Sequence, residues 1–363
     1  MARSRVGILV RGWLVLPIAA AVILLVPIPA WFVEEFYSRG VYPWLQLGAT
    51  SVSNLVPIAL LDVVILAAVA LLVYRIVQFV RAAMSRGVME ASWEALRRTL
   101  RAVAVLLLVF FFAWGCHYRR TPLETTIDTT PAVPSIASLQ LAVADANALG
   151  ATLRPNLPPA DAMTYDAAAQ ALIAPMQDAL ASLKLARLSR PGRPKFSLIL
   201  TPFFTWTGVD GMIDPFALES IVHPDLLPVE RPFVLAHEWA HLAGEADEAD
   251  ASAVGWLACM KGSPALAYSA SLYLIEEAGG ALPAAARKQS FAKLDTGIRS
   301  DLEQIAKRMR LQKPRVQRAA FQVYDQYLKA NTVDDGTASY GRALTLILAP
   351  PLRDALNQYG KKR

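Results

Sequence analysis

Arg231 to Cys259 reads "RPFVLAHEWAHLAGEADEADASAVGWLAC". Two of the chain's four histidines, His237 and His241, stand four apart, and Glu238 directly follows the first. On a helix, positions four apart share a face, so both imidazoles reach one metal ion. Glu238 then points towards a water activated by that ion, placed as its general base. The apolar "FVLA" ahead of the histidines predicts a helix buried beneath a sheet, and Gly244 predicts its end in a left-handed cap. A hydrolytic metal needs a third protein ligand and one open position. Glu245, Asp247, Glu248 and Asp250 are the candidates, and Glu248, opening the next helix, is favoured. Two imidazoles, a carboxylate and a water suit zinc best, so Zn2+ is the expected ion.

Upstream, "KFSLILTPFF" (Lys195–Phe204) has strand composition, and Thr205–His223 reads as extended segments broken by Gly208 and Gly211. The stretch "TGVDGMIDPFALES" is expected to form a sheet edge that pairs with an extended peptide by strand addition. Ala-rich amphipathic patterns predict helices at 136–149, 159–185, 264–277, 283–311, 316–329 and 340–358. The fold class is thus mainly α, an α+β unit with a small sheet just before the metal helix. An oxyanion donor is expected among Tyr340, Tyr324, Tyr327 and Arg342, with Tyr340 favoured. His223, before Pro224, reads as a capped loop histidine, Trp239 and Trp256 as core, and Cys259 as an inert buried thiol.

The N-terminal third has a different character. Apolar runs occupy 12–33, 53–74 and 102–118, long enough for three membrane spans within residues 1–120. The Thr/Pro-rich 121–134 reads as a linker to a unit at 135–363. The net charge of +6 resides in the apolar third, where twelve Arg and no Lys face five acids; the rest holds 24 bases and 25 acids. That split argues against a nucleic-acid footprint, which needs a basic face on the folded unit. Arg3, Arg5 and Arg11 precede the first span, and six Arg lie between the second and third. The Lys/Arg excess marks cytoplasmic segments, placing the N-terminus inside and everything after the third span outside, in a multi-pass inner-membrane protein. Asp62, near the middle of the second run, is expected to face a neighbouring helix, with a functional role as the alternative. Cys116 is expected at the membrane edge.

With these residues in place, the chain resembles a bacterial family of three-span membrane proteins with a zincin-like domain, domain of unknown function 3810. The likeness runs through "EEFYSRGVYPWL", "NLVPIALLD", "FAWGCHYRRTPLE", "GMIDPFALESIVHPDLLP", "HEWAHLAGEADEADASAVGWLA", "VYDQYLKAN" and "GTASYGRAL". Asp250 and Ser252 replace a Glu and an Asn of the family's acidic segment, and Cys116 and His117 replace an apolar residue and an Asn. Glu248-Ala249-Asp250-Ala251 also fits the ExxA arrangement of zincins whose third ligand is a Glu. The resemblance implies a membrane-tethered metallopeptidase and brings no substrate with it.

The expectation is therefore a membrane-anchored zinc metallopeptidase, with His237, His241 and Glu248 as ligands and Glu238 as base. Its partners are the lipid bilayer and an extracytoplasmic peptide or protein. Alternatives are a non-catalytic sensor or scaffold whose metal shell Asp250 or His223 closes, and a zinc amidase of cell-wall peptides. Oligomeric state is not encoded in any pattern seen.

Overall fold

A computed structural model describes residues 12–129, 132–331 and 342–359. Helix α1 (Val15–Leu25) stops at the Val26–Pro29 stretch, where two prolines remove backbone donors. The chain resumes as α2 (Ala30–Asn54), bent 104° from α1 and widened to π-type turns over Val33–Val41. The run expected as one straight span is thus broken. Helix α3 (Leu60–Arg86) and helix α4 (Val88–Ala113) form a hairpin about Gly87, whose φ of 90° suits glycine. At 27 residues α3 is about 40 Å long, more than a bilayer's hydrocarbon core, so it carries on through the basic segment.

Among the described residues, two helices are long and apolar enough to cross a membrane, α3 and Ile136–Asn156, or up to three if the bent pair α1–α2 counts as one. Only the second half of α4 is apolar, because Arg97, Arg98 and Arg101 lie in its middle. The run at 102–118 ends its α-helix at Ala113 and tightens into a buried turn at Gly115–Arg119. Asp62 lies in the first turn of α3, not mid-span, because residues 53 and 54 still belong to α2. It accepts hydrogen bonds from the Ser197 hydroxyl and, at 2.7 Å, the Leu198 N–H.

The C-terminal helices are α5 (Ile136–Leu153), α6 (Tyr165–Ser182), α7 (Thr201–Thr207), α8 (Arg231–Leu242), α9 (Glu248–Met260) and α10 (Pro264–Ala281). They continue as α11 (Ala284–Ala292), α12 (Thr296–Met309), α13 (Pro314–Ala330), α14 (Arg342–Ile347) and α15 (Pro350–Tyr359). Although α5 is apolar enough for a span, its stripe Leu139, Ala142, Val143, Ala146, Gly150 and Leu153 is buried, and the helix packs against α10. The helix expected at 283–311 is two, because Asp295 caps a new start by accepting from the Gly297 and Ile298 N–H groups. The one expected at 340–358 likewise restarts at Pro350.

Strands β1 (Pro194–Lys195), β2 (Gly211–Asp214) and β3 (Glu219–Val222) form a small mixed sheet in the order β1-β3-β2. β1 runs parallel to β3 and β2 antiparallel to it. The strand expected over Lys195–Phe204 lasts two residues. Asp62 turns the chain at Ser197, and Pro202 starts α7 in its place. "TGVDGMIDPFALES" does place an edge strand, β2, which β3 follows before α8 begins.

Candidate metal centre

Helix α8 presents His237, Glu238 and His241 and ends as expected at Gly244, whose φ is 103°. Any side chain there would also collide with His117, since an added Cβ falls 2.6 Å from its Cε1. The chain turns and enters α9, where the Asp247 side chain accepts from the Ala249 and Asp250 N–H groups. Helices α8 and α9 cross at backbone contact, because a Cβ on Gly255 would lie 2.8 Å from the His237 nitrogen. This crossing brings Glu248 to the histidine pair.

Glu248 Oε2 lies 3.2 Å from His237 Nε2 and 3.4 Å from His241 Nε2, and the two Nε2 atoms are 3.1 Å apart. One ligand atom from each residue falls within 4.8 Å of the others, so the three could hold a metal ion. The far nitrogens are also held. His237 Nδ1 sits 3.2 Å from Ser252 Oγ, and His241 Nδ1 is 2.6 Å from the Glu245 carbonyl. A carbonyl only accepts, so the neutral form of His241 keeps its proton on Nδ1 and turns a lone pair at Nε2 towards the centre. Ser252, shorter than the family's residue, still reaches its histidine.

Electrostatics follow from burial and this crowding. Burial lowers the pKa of His237. It also opposes charge on His241, but Glu248, Glu238 and the Glu245 carbonyl outweigh it and hold that ring up to about 9. Burial opposes the Glu248 carboxylate too, yet the two histidines keep its pKa well below the usual range. Burial pushes Glu238 up to about 8, with Glu248 and Asp210 adding to the rise against the pull of His241. Glu238 Oε2 is buried without a hydrogen-bond partner among the described residues. Its other oxygen lies against β2, where a Cβ on Gly211 would sit 2.6 Å from Oε1. A buried carboxyl group thus stands against the sheet edge, one residue on from His237.

Of the remaining candidates, Tyr324 touches the cluster, and the others described have different partners. Asp250 accepts the Leu123 N–H at 3.1 Å, and Arg342 pairs with Asp247 at 2.8 Å and with Asp250 and Glu124 at 3.5 Å. Arg342 therefore braces the start of α9. The Tyr324 hydroxyl donates to Glu248 Oε1, and Tyr118 donates to the Tyr327 hydroxyl at 3.1 Å. Tyr340 lies outside the described residues. His223 is the capped loop histidine expected, Nε2 at 2.9 Å from Thr205 Oγ1 and Nδ1 accepting the Asp225 N–H at 3.1 Å. Trp239, Trp256 and Cys259 are buried, and burial raises the Cys259 thiol. The Glu245 side chain stands apart from the cluster's three residues and pairs with Arg120 at 2.6 Å.

Sequence reasoning missed how far the N-terminal third builds this centre. Arg120 grips Glu34 bidentately at 2.9 and 3.1 Å, reaches Glu245 at 2.6 Å and donates to the Gly244 carbonyl at 2.9 Å. The polar stripe Tyr42, Gln46, Thr50 and Ser53 on α2 is buried against the site's elements. Tyr42 donates to the Leu242 carbonyl at 3.0 Å, Thr50 to Leu218 at 2.7 Å, and Ser53 to Glu219 at 3.0 Å. Polar residues at helical spacing in an apolar segment were the available signal.

The family whose description is "Protein of unknown function (DUF3810)" matches residues 37–348, and the chain belongs to it. No curated protein and no solved structure matches the chain.

Proposed function

We propose that the chain is a membrane-embedded zinc metallopeptidase. One observation carries the reading: next to His237 of the His237–His241–Glu248 cluster, Glu238 is buried against Gly211 of an edge strand, with one carboxylate oxygen lacking a hydrogen-bond partner among the described residues. The donor set of two imidazole nitrogens and a carboxylate fits zinc, with both Nδ1 atoms engaged so that Nε2 faces the ion. Bound there, the ion would supply Lewis acidity, polarising a water and a peptide carbonyl. Glu238 takes the water's proton on its carboxylate and returns it to the departing amine. β2 offers its open edge to an extended peptide, and Gly211 lets that backbone approach Glu238. A closed structural site needs a fourth ligand; Asp250 and His223, the residues that could supply it, are engaged elsewhere.

We place the site on the extracytoplasmic side of the inner membrane. The arginine distribution supports this, as does the packing of residues 34–62 and 117–120 onto the site, which requires both segments on one face. The test is peptide cleavage by the full chain with zinc. Glu238→Gln keeps the metal and loses at least about a hundredfold in rate. A wild-type chain that binds zinc and cleaves no peptide, or a variant as fast as wild type, overturns the reading.

A further inference from the structure

Helix α7 and the turn before it carry both covered and exposed apolar side chains, and α13 meets the helix at Trp206, whose carbonyl accepts the Lys313 N–H at 2.8 Å. Phe204 packs with Ala59 and Ile221, with Leu61, Leu200 and Met212 around them. Leu198, Ile199, Phe203 and Trp206 point the other way and are exposed, Leu198 at 83%. Water on so much adjoining apolar surface is unfavourable, so something covers it. What lies beside it is α3: Asp62 in that helix's first turn holds Ser197 and the Leu198 N–H, and Val63, Val64 and Leu66 are exposed in turn. The uncovered face therefore continues the surface of the most apolar long helix. At the other end of the sheet, Phe216, in the β2–β3 turn, packs on Phe110 of α4 with ring centroids 6.4 Å apart. The sheet rests on neighbouring ends of both hairpin helices.

The rim of this face has the chemistry of a lipid headgroup boundary. Lys313 Nζ lies 3.7 Å from the centre of the Trp206 ring, and Arg310, Arg315 and Arg318 are exposed close by in sequence. An aromatic belt backed by bases is what an anionic membrane surface attracts.

We propose that Leu198, Ile199, Phe203, Trp206 and Phe216 dip into the surface of the bilayer leaflet where α3 and α4 meet the site. Met212 of β2 shares the cluster beneath α7, so the edge strand is held one layer of side chains above lipid. Resting on the peptidase reading, this defines the substrate class as membrane-tethered polypeptides, cleaved in the extended segment that leaves the bilayer beside β2.

The test places a photoactivatable residue at 198 or 203 of the full chain in phosphatidylethanolamine–phosphatidylglycerol vesicles. Position 66 on α3 serves as lipid-facing control and exposed position 304 as solvent control. Lipid labelling at 198 and 203 is expected within about twofold of 66 and about tenfold above 304. Labelling no higher than at 304 overturns the proposal. A lipid-anchored peptide should also be cut about tenfold faster than the same peptide without its anchor, and Leu198→Ser/Trp206→Ser should erase that advantage. Lipid labelling with equal cleavage of both peptides overturns the substrate class alone. Cleavage of neither overturns the peptidase reading and the substrate class with it, while the labelling result stands.

Discussion

Each histidine of the cluster is oriented by a different kind of partner, and the two differ in how easily they are removed. Ser252 holds His237 through a side chain, so Ser252→Ala frees that ring at little cost to the fold. Zinc affinity is expected to weaken about ten- to a hundredfold, read by competition with a chelator. The Glu245 carbonyl that holds His241 is backbone and survives any substitution. His241 also sets the pH dependence of loading. Its pKa in the metal-free chain is held up to about 9, and only the neutral ring binds metal. Below that value protons compete, so affinity should rise about tenfold per pH unit from pH 6 to 8 and level off above pH 9. A titration that is flat from pH 6 to 8 would contradict this assignment. The candidate site was legible in the sequence because helical spacing is local: His237, Glu238 and His241 lie within five residues, and Glu248 follows seven residues later. Arg120 was legible only as a charge. Its partners Glu34 and Glu245 are remote in sequence, and no periodicity joins them.

Where α8 crosses α9, the helices touch through backbone. Gly255→Ala puts a Cβ 2.8 Å from the His237 nitrogen, and a main chain cannot yield as a flexible side chain does. The variant should lose about 1–3 kcal/mol in denaturant unfolding and bind zinc more weakly, because Glu248 shifts away from the histidines. Gly211→Ala acts on the other side of the site, with its Cβ 2.6 Å from Glu238 Oε1. Here the carboxylate can move, so the fold and the metal should be retained while cleavage falls, measured as a loss in kcat with zinc content unchanged. The edge position of this strand was readable from its glycines and its place before α8. The strand expected at Lys195–Phe204 was misread because β-rich composition yields to tertiary contacts: Asp62 turns the backbone at Ser197, and Lys195 is drawn into a buried pair with Glu219 at 2.7 Å.

Over the whole molecule, the N-terminal third is part of the site's frame. The path Glu34–Arg120–Glu245 ends at the carbonyl that orients His241, and every member is largely shielded from water. Arg120→Gln leaves the buried Glu245 carboxylate without its cation and Glu34 with Arg39 alone, at 3.3 Å. It should cost about 3–5 kcal/mol and lower zinc affinity as well, measured by thermal unfolding with and without zinc. A fragment beginning at residue 121 lacks this arginine and the α2 stripe, and is expected to fail to hold metal. The polar stripe on α2 could have announced this packing; its partners Leu218 and Leu242 contribute carbonyls, which no sequence displays. X-ray absorption on the zinc-loaded full chain is the decisive measurement of an open metal centre with three protein ligands. Two imidazole nitrogens at about 2.0–2.1 Å plus light oxygen atoms, one of them exchangeable, are expected, with loss of the metal in Glu248→Ala. Four protein ligands, a sulfur scatterer, or unchanged zinc binding in that variant would contradict such a centre.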